Sequence, residues 1–124
     1  MANPKISATS NIYANNSLVN LTDTSATQLV SNAASSGKVF LVDSIYVSNV
    51  DGSNACDITI EIFPNDDNTG TATKLVSTVS VPADAVLVPL LKDGTIALLE
   101  DRSIYATASA GNDLHVVTSW KEIS

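Results

Sequence analysis

The chain has 124 residues and a mass of 12.9 kDa, and 44% of its residues are hydrophobic, which suits one globular domain. Six Lys and Arg against thirteen Asp and Glu give a formal net charge of −7, which argues against binding to nucleic-acid phosphates or to an anionic membrane. One cysteine excludes an intrachain disulfide and a cysteine-based metal cluster. Only 15% of the residues are charged, and many others are Ser, Thr or Asn, whose short side chains lose little entropy when surfaces pack together.

The amino-terminal stretch is polar and has no apolar period. We therefore predict an extended arm over residues 1–16, followed by a single domain over residues 17–124. Ile6, Ile12 and Tyr13 are spaced so that they can anchor the arm on a neighbouring subunit. The sequence shows no signal-peptide pattern and no run of about 18 apolar residues, so we expect synthesis in a host cytoplasm.

Short β-branched runs alternate with turn residues in the rest of the chain, which predicts strands rather than helices. Two weak strands are predicted near residues 18–22 and 27–31, and a long one over residues 38–49. Apolar residues occupy both faces of this long strand, which predicts either a central position or a β-bulge near Asp43 and Ser44 that switches the buried face.

The clearest strand covers residues 56–63, where apolar and polar side chains alternate. Its apolar face consists of Cys56, Ile58, Ile60 and Ile62. The Asp-Gly pair before it predicts a hairpin turn back to the preceding strand.

Three further strands are predicted at residues 73–81, 86–91 and 96–99. Turns separate them, and the last of these turns is predicted at residues 92–94. Pro89 indicates an edge position or a bulge, because proline cannot donate to a strand ladder. The final strands, residues 103–109 and 113–121, are predicted to form a hairpin. Eight or nine short strands predict an all-β fold, a two-sheet antiparallel β-sandwich of jelly-roll-like form.

No catalytic motif is recognisable in the sequence, so we predict that the protein is not an enzyme. His115 is the single histidine, and Asp113 lies two residues away on the same strand face, but no nucleophile elbow or oxyanion-hole motif accompanies them. We interpret His115 as a strand residue that faces solvent or an interface. Cys56 shares its face with three isoleucines and is interpreted as a buried, unreactive thiol.

Acidic and aromatic residues offer two weaker possibilities. Residues 65–68 form an Asn/Asp cluster that could hold calcium, although the EF-hand spacing is not met and such residues also favour turns. Asp101 and Arg102 are interpreted as a surface ion pair or a turn. Trp120 and Tyr105 could form a sugar-binding platform on neighbouring strands, but Trp120 shares its parity with apolar residues, which favours a place in the core or at a subunit contact. We predict no cofactor, metal or catalytic site residues.

Three stretches, residues 43–52, 75–83 and 105–117, carry a family resemblance. With their sequence of strand, Asn-rich turn, strand, Val-Pro-Ala turn and closing strands, they resemble small virion structural proteins of tailed phages, cyanophages among them. The similarity extends over about residues 38–124 and includes no catalytic signature.

The resemblance implies a non-enzymatic decoration (cement) protein that binds outside the major capsid shell of a virion. Its partners would be the major capsid protein and sister subunits, with a trimer favoured. A head–tail connector or tail component is an alternative within the same class. A carbohydrate-binding module of a fibre or surface protein is an alternative from another class.

Overall fold

A computed structural model of the chain describes residues 6–91 and 94–124. Residues 6–8 form a short 3-10 helix, and nine strands follow in the described part of the chain. These are β1 (Ile12–Leu21), β2 (Thr27–Asn32), β3 (Val39–Asn49), β4 (Cys56–Phe63), β5 (Thr73–Val81), β6 (Val86–Leu90), β7 (Ile96–Leu98), β8 (Arg102–Ala108) and β9 (Leu114–Ile123). The predicted turn at residues 92–94 lies partly outside the described residues.

The strands form two antiparallel sheets, which confirms the predicted β-sandwich. Sheet A has the order β1-β9-β3-β6, and the short β7 pairs with β3 beside β6. Sheet B has the order β2-β8-β4-β5. With β6 and β7 sharing one position, this is the strand order of a jelly roll, in which two Greek keys distribute the strands between the two sheets. Apolar residues from both sheets fill one continuous core.

The long strand β3 has both features that the sequence offered as alternatives, a central position between β9 and the strands β6 and β7, and a bulge. Its register against β9 shifts between Val42 and Ser44. Before the shift Phe40 and Val42 face the core, whereas Ile45 and Val47 do so after it. The extra residue therefore switches the buried parity, so a strand with apolar residues on both faces still fills one core.

The two predicted hairpins are wrong, because each pair of strands is divided between the sheets. β3 and β9 lie in sheet A, whereas β4 and β8 lie in sheet B. The connection from β3 to β4 is stabilised by Asp51, whose carboxylate accepts the amide protons of Ser53 (2.8 Å) and Asn54 (3.2 Å). These bonds, that from Ser53 first, lower the pKa of Asp51. Gly52 has no positive φ, so the Asp-Gly pair forms an Asx turn rather than a hairpin.

The connection from β8 to β9 packs closely against the end of β1. A Cβ atom on Gly111 would lie 2.6 Å from the carbonyl oxygen of Thr22. Asn112 has a φ of 67° and donates its amide to the carbonyl of Leu21 at 2.8 Å. Glycine at position 111 is therefore required by close backbone contact as the chain passes from sheet B to sheet A.

The predicted arm boundary at residue 16 falls inside β1 and needs correction. Ile12 to Leu21 pair with β9 residue by residue without a register shift. Most of these side chains are exposed, which is why the stretch shows no apolar period. Backbone hydrogen bonds to β9, rather than side-chain burial, hold residues 12–16 in the strand. Of the predicted arm, residues 1–5 lie outside the described residues.

Pro89 meets both predicted alternatives, since it lies on β6 at an edge of sheet A and within the stretch where the register of β6 against β3 shifts. Proline is tolerated there because an edge strand has a ladder on one side only.

Candidate interaction surface

The outer face of sheet A carries a row of exposed apolar side chains across three strands. Leu18 on β1 is opposite Val117 on β9, which is opposite Tyr46 on β3. Their exposed fractions are 75%, 37% and 41%. Each side chain has the parity opposite to the buried residues of its strand, so the alternation in the sequence could have found it. What the sequence could not supply is the register that places the three in one row, which we call the apolar row.

The neighbouring row on the same face is mostly polar. His115 is half-buried on β9, with Asn20 and Ser48 as its cross-strand neighbours. This confirms that His115 is a strand residue on the outer face. At the far edge, Val86 lies opposite Ser48 and is 60% exposed. The arrangement is that of a contact surface with apolar and hydrogen-bonding groups side by side.

Glu122, near the end of β9, is a charged residue of sheet A that is held by several side-chain hydrogen bonds. Its carboxylate accepts hydrogen bonds from Asn15 Nδ2 (2.8 Å), Trp120 Nε1 (3.2 Å) and Lys38 Nζ (3.3 Å). Burial alone would raise the pKa of Glu122, but these three bonds and the charge of Lys38 together lower it. The cluster links β1, β9 and the start of β3 at one end of the sheet.

Glu122→Gln is expected to destabilise the protein at pH 7 by roughly 1 kcal/mol, the upper range for a partly exposed ion pair. Because folding lowers the pKa of Glu122, its stabilising effect is complete above the ordinary value of 4.5 and disappears as the pH falls through the lower folded-state pKa. The free energies of unfolding of wild type and Glu122→Gln should therefore become more similar as the pH falls. Urea unfolding of both proteins at pH 7 and below pH 4 measures this difference in stability. A difference that is larger in acid than at pH 7 would contradict the expectation.

Cys56 lies in the core, as predicted, with 1% of its surface exposed. Its sulfur is 3.4 Å from Ser109 Oγ and contacts the carbonyl of Ala110 at 3.8 Å. Neither neighbour carries a positive charge that would stabilise a thiolate.

We expect Cys56 to resist thiol reagents in the native state and to react stoichiometrically in denaturant, because the reagent cannot reach the sulfur without opening the core. Labelling kinetics in buffer and in 6 M guanidinium chloride, about the concentration that unfolds most domains, measure the contrast. Rapid labelling in buffer would show that the β4 end of the core opens readily.

The acidic loop between β4 and β5 is organised by its own hydrogen bonds. Asp66 Oδ2 accepts from the amide of Ala34 at 3.1 Å, and Asp67 Oδ1 accepts from the amide of Thr69 at 3.2 Å. Asp101 Oδ1 accepts the amide of Asp66 at 2.9 Å, which joins this loop to the turn before β8. Among the described residues, no group of three or more His, Cys, Asp or Glu side chains is arranged to hold a metal ion. The hydrogen bonds of Asp66, Asp67 and Asp101 hold this loop together.

The residues named for a sugar platform lie in different sheets, so the predicted adjacency is wrong. Trp120 on β9 is 8% exposed and stacks on Phe40, with ring centroids 6.1 Å apart. Tyr105 on β8 packs edge-on against Phe63 instead, at 5.5 Å. Burial, followed by the charges of the nearby acidic loop, raises the pKa of Tyr105. The pair offers no shared flat surface for a sugar ring.

Asp101 and Arg102 form a turn, one of the two outcomes predicted for them. Asp101 has a φ of 57°, and the Arg102 guanidinium donates to the carbonyls of Pro64 (2.7 Å) and Asp101 (3.0 Å). Within residues 6–91 and 94–124, no helix is long and apolar enough to cross a membrane.

Comparison with known proteins gives structural likenesses only. No protein-family model and no curated protein matches the sequence. The chain is similar in structure to a chain of the acid-stable capsid of the Helicobacter pylori bacteriophage KHP30, with a TM-score of 0.52 and 10% identity over 94% of this chain and 90% of that one.

A second likeness is to a chain of the disulfide-linked pili that form Bacillus endospore appendages, with a TM-score of 0.54 and 14% identity over 100% of this chain and 94% of that one. A looser one, with a TM-score of 0.42 and 7% identity, covers 89% of this chain and 31% of a chain of the IBDV viral particle. At these identities the first two likenesses establish a shared fold, the β-sandwich.

Proposed function

We propose that this protein is a structural subunit of a phage virion, a decoration protein that binds the outside of the major capsid shell and stabilises it. The supporting observation is the likeness to a capsid chain over nearly the whole length of both chains. The two chains are thus of similar length, and the shared fold takes up nearly all of each. The family resemblance of residues 43–52, 75–83 and 105–117 points the same way.

Charge and surface composition support an exterior position. The net charge of −7 would be repelled by packaged DNA, whereas it is harmless on the outer side of a shell. The exposed apolar row, with Leu18 at its end, supplies area that assembly would bury. The partners would be the major capsid protein and sister subunits, in a homo-oligomer for which a trimer is favoured.

The likeness to spore pili raises a second assembly, a filament of similar subunits. Filaments of that kind are described as disulfide-linked, and disulfide links need accessible cysteines. The single cysteine of this sequence, Cys56, is buried in the core at 1% exposure. Without an exposed thiol this chain cannot form such links between folded subunits, which favours the capsid role.

A head–tail connector or tail component remains the alternative within the virion class, and copy number separates the two. A decoration protein covers the whole shell, whereas a connector forms one ring. The carbohydrate-binding alternative has lost its candidate platform, since Trp120 packs in the core.

The direct test is binding of the purified protein to expanded capsid shells, followed by gel densitometry of the washed particles. Decoration predicts saturable binding at a copy number comparable to the number of capsomers, and a higher melting temperature of the shell. A bound amount of one ring per particle would identify a connector instead. No binding to shells or tails, with the protein shown to be folded, would overturn the proposal.

Two truncations test the predicted contribution of the arm to this binding. Deleting residues 1–9 leaves β1 intact, whereas deleting residues 1–16 removes half of β1 and uncovers the edge of β9. We expect both deletions to lower occupancy on shells, and the longer one to lower the melting temperature more, because it breaks part of the ladder. Circular dichroism is the folding control. Equal occupancy for full-length protein and the shorter deletion would contradict a role for the arm.

A further inference from the structure

The free edge of β1 differs from the other sheet edges. Among the described residues, β1 pairs with β9 on one side only, so its other side is open. The strand is ten residues long, contains no proline and no charged residue, and keeps a continuous register with β9. Long, uncharged, regular edges are the ones that recruit another strand.

The hydrogen-bond phase of β1 shows which of its residues point outward. Asn11 and Ser124 exchange two backbone bonds, each of 3.0 Å, immediately before the strand begins. Antiparallel pairs alternate between bonded and non-bonded, so odd-numbered residues of β1 bond to β9. The even-numbered residues therefore direct their amides and carbonyls to the open edge. Among the contacts of the described residues, one of these groups is already used, because the amide of Asn16 donates to Asn15 Oδ1 at 2.8 Å.

The other edge strands carry features that hinder pairing. β2 has a register shift against β8 between Gln28 and Val30. β5 has two shifts against β4, a positive φ of 49° at Thr78 and the charged Lys74. β6 contains Pro89. Bulges, lysine and proline are the usual devices that protect an edge, and β1 has none of them.

The side-chain faces and the charge of β1 indicate that the strand which pairs with its open edge belongs to a second copy of the same chain. Residues opposite each other in an antiparallel pair point to the same face, so an even-numbered residue of β1 must meet an even-numbered one. A two-fold axis at Leu18 would place Leu18 against Leu18 and Asn16 against Asn20. The apolar row would then continue from one subunit into the other and bring together the two copies of Leu18, the most exposed large hydrophobic side chain of the described residues.

Charge is compatible with self-association at this edge of a molecule with a net charge of −7. The strand β1 contributes no charged residue, so two copies can meet there without opposing acidic groups of their own. The acidic groups of the neighbouring strands are already paired, Asp43 with Lys121 at 2.8 Å and Glu122 with Lys38 at 3.3 Å. Paired strands would therefore meet without like charges opposite each other.

We infer that two copies of this protein associate through antiparallel pairing of their β1 strands about a two-fold axis at Leu18, which joins the two A sheets into one continuous sheet. The inference rests on the proposed function for its setting, because a virion subunit meets its own copies at high local concentration. Such a two-fold contact can coexist with a trimer, as a link between trimers.

The first test is sedimentation equilibrium of the full chain over a wide concentration range. Wild type is expected to dimerise, and Leu18→Lys is expected to weaken the association at least tenfold, since it places two charges opposite each other. Val79→Lys is the control, because Val79 is an exposed aliphatic residue on the edge strand β5 of the other sheet, and this variant should leave the association unchanged. A wild type that stays monomeric throughout, or equal effects of the two variants, would overturn the inference.

The second test uses cysteines and fixes the register. Residues in a bonded antiparallel pair have Cα atoms about 5.5 Å apart, which a disulfide can bridge. Leu18→Cys is therefore expected to give disulfide-linked dimers under mild oxidation, while the buried Cys56 stays out of the reaction. Tyr46→Cys, in the same row, would lie about 24 Å from its counterpart, five strand spacings away, and should not link. Equal linking of both variants would contradict the β1 contact.

The outcomes separate this inference from the proposed function. Protein that binds shells, yet shows no Leu18→Cys linking in solution or on the particle, would refute the β1 contact and leave the capsid role standing. Protein that links through Leu18→Cys but does not bind shells would refute the capsid role and leave the contact standing.

Discussion

Ile60→Asp is expected to lower the free energy of unfolding by more than ~3 kcal/mol, because a carboxylate at this position would be buried without a partner. Ile60 lies in the middle of β4, has no exposed surface and pairs with Ala106 of β8 on the core side of sheet B. Among the described residues, no basic side chain is buried that could pair with such a carboxylate. Chemical unfolding followed by circular dichroism measures the effect, and we expect a protein that is largely unfolded at 37 °C.

Val86→Asp is the matched control for this substitution. Val86 is 60% exposed on the edge strand β6, so the same change from a branched aliphatic side chain to a carboxylate should alter stability only slightly, within about 0.5 kcal/mol. Equal melting temperatures for Ile60→Asp and wild type would show that this face of β4 is not buried.

Trp120→Ala is expected to destabilise the protein by about 3–5 kcal/mol, the usual cost of removing a large aromatic side chain from a core. Trp120 stacks on Phe40 at an interplanar angle of 18°, and its indole N–H donates to Glu122. The truncation therefore leaves a cavity between the sheets and takes away one of the donors that hold Glu122 in its ionised form. Urea unfolding monitored by circular dichroism gives the value.

Trp120→Phe separates the two contributions, because it keeps an aromatic ring against Phe40 but removes the N–H. We expect a loss of about 1 kcal/mol from the missing hydrogen bond, well below that of the alanine variant. If Trp120→Ala were as stable as wild type while abolishing glycan binding, Trp120 would be a ligand-binding residue and the place assigned to it in the core would be wrong.

Much of the sandwich can be predicted from the sequence, because strand alternation is a local property. The period of two over residues 56–63 identifies β4 and its buried face, since each polar residue there must avoid the core. The parity switch near Asp43 locates the bulge in β3 for the same reason. Pro89 indicates an edge strand because proline has no amide proton to donate, whereas a central strand must donate to neighbours on both sides. The burial of Cys56 follows from its isoleucine neighbours.

The tertiary structure alone decided which sheet each strand joins and which strands meet. A short connection such as residues 109–113 can close a hairpin or pass from one sheet to the other, and the local sequence does not distinguish these two paths. The path between the sheets is set by tertiary contacts such as the close packing of Gly111 against Thr22. The same holds for β1, whose exposed side chains conceal a strand that is fixed by its ladder to β9. The apolar row and the open edge of β1 arise from register and sheet order. These are long-range properties, set by which backbones exchange hydrogen bonds, and the periodicity of one segment carries no information about them.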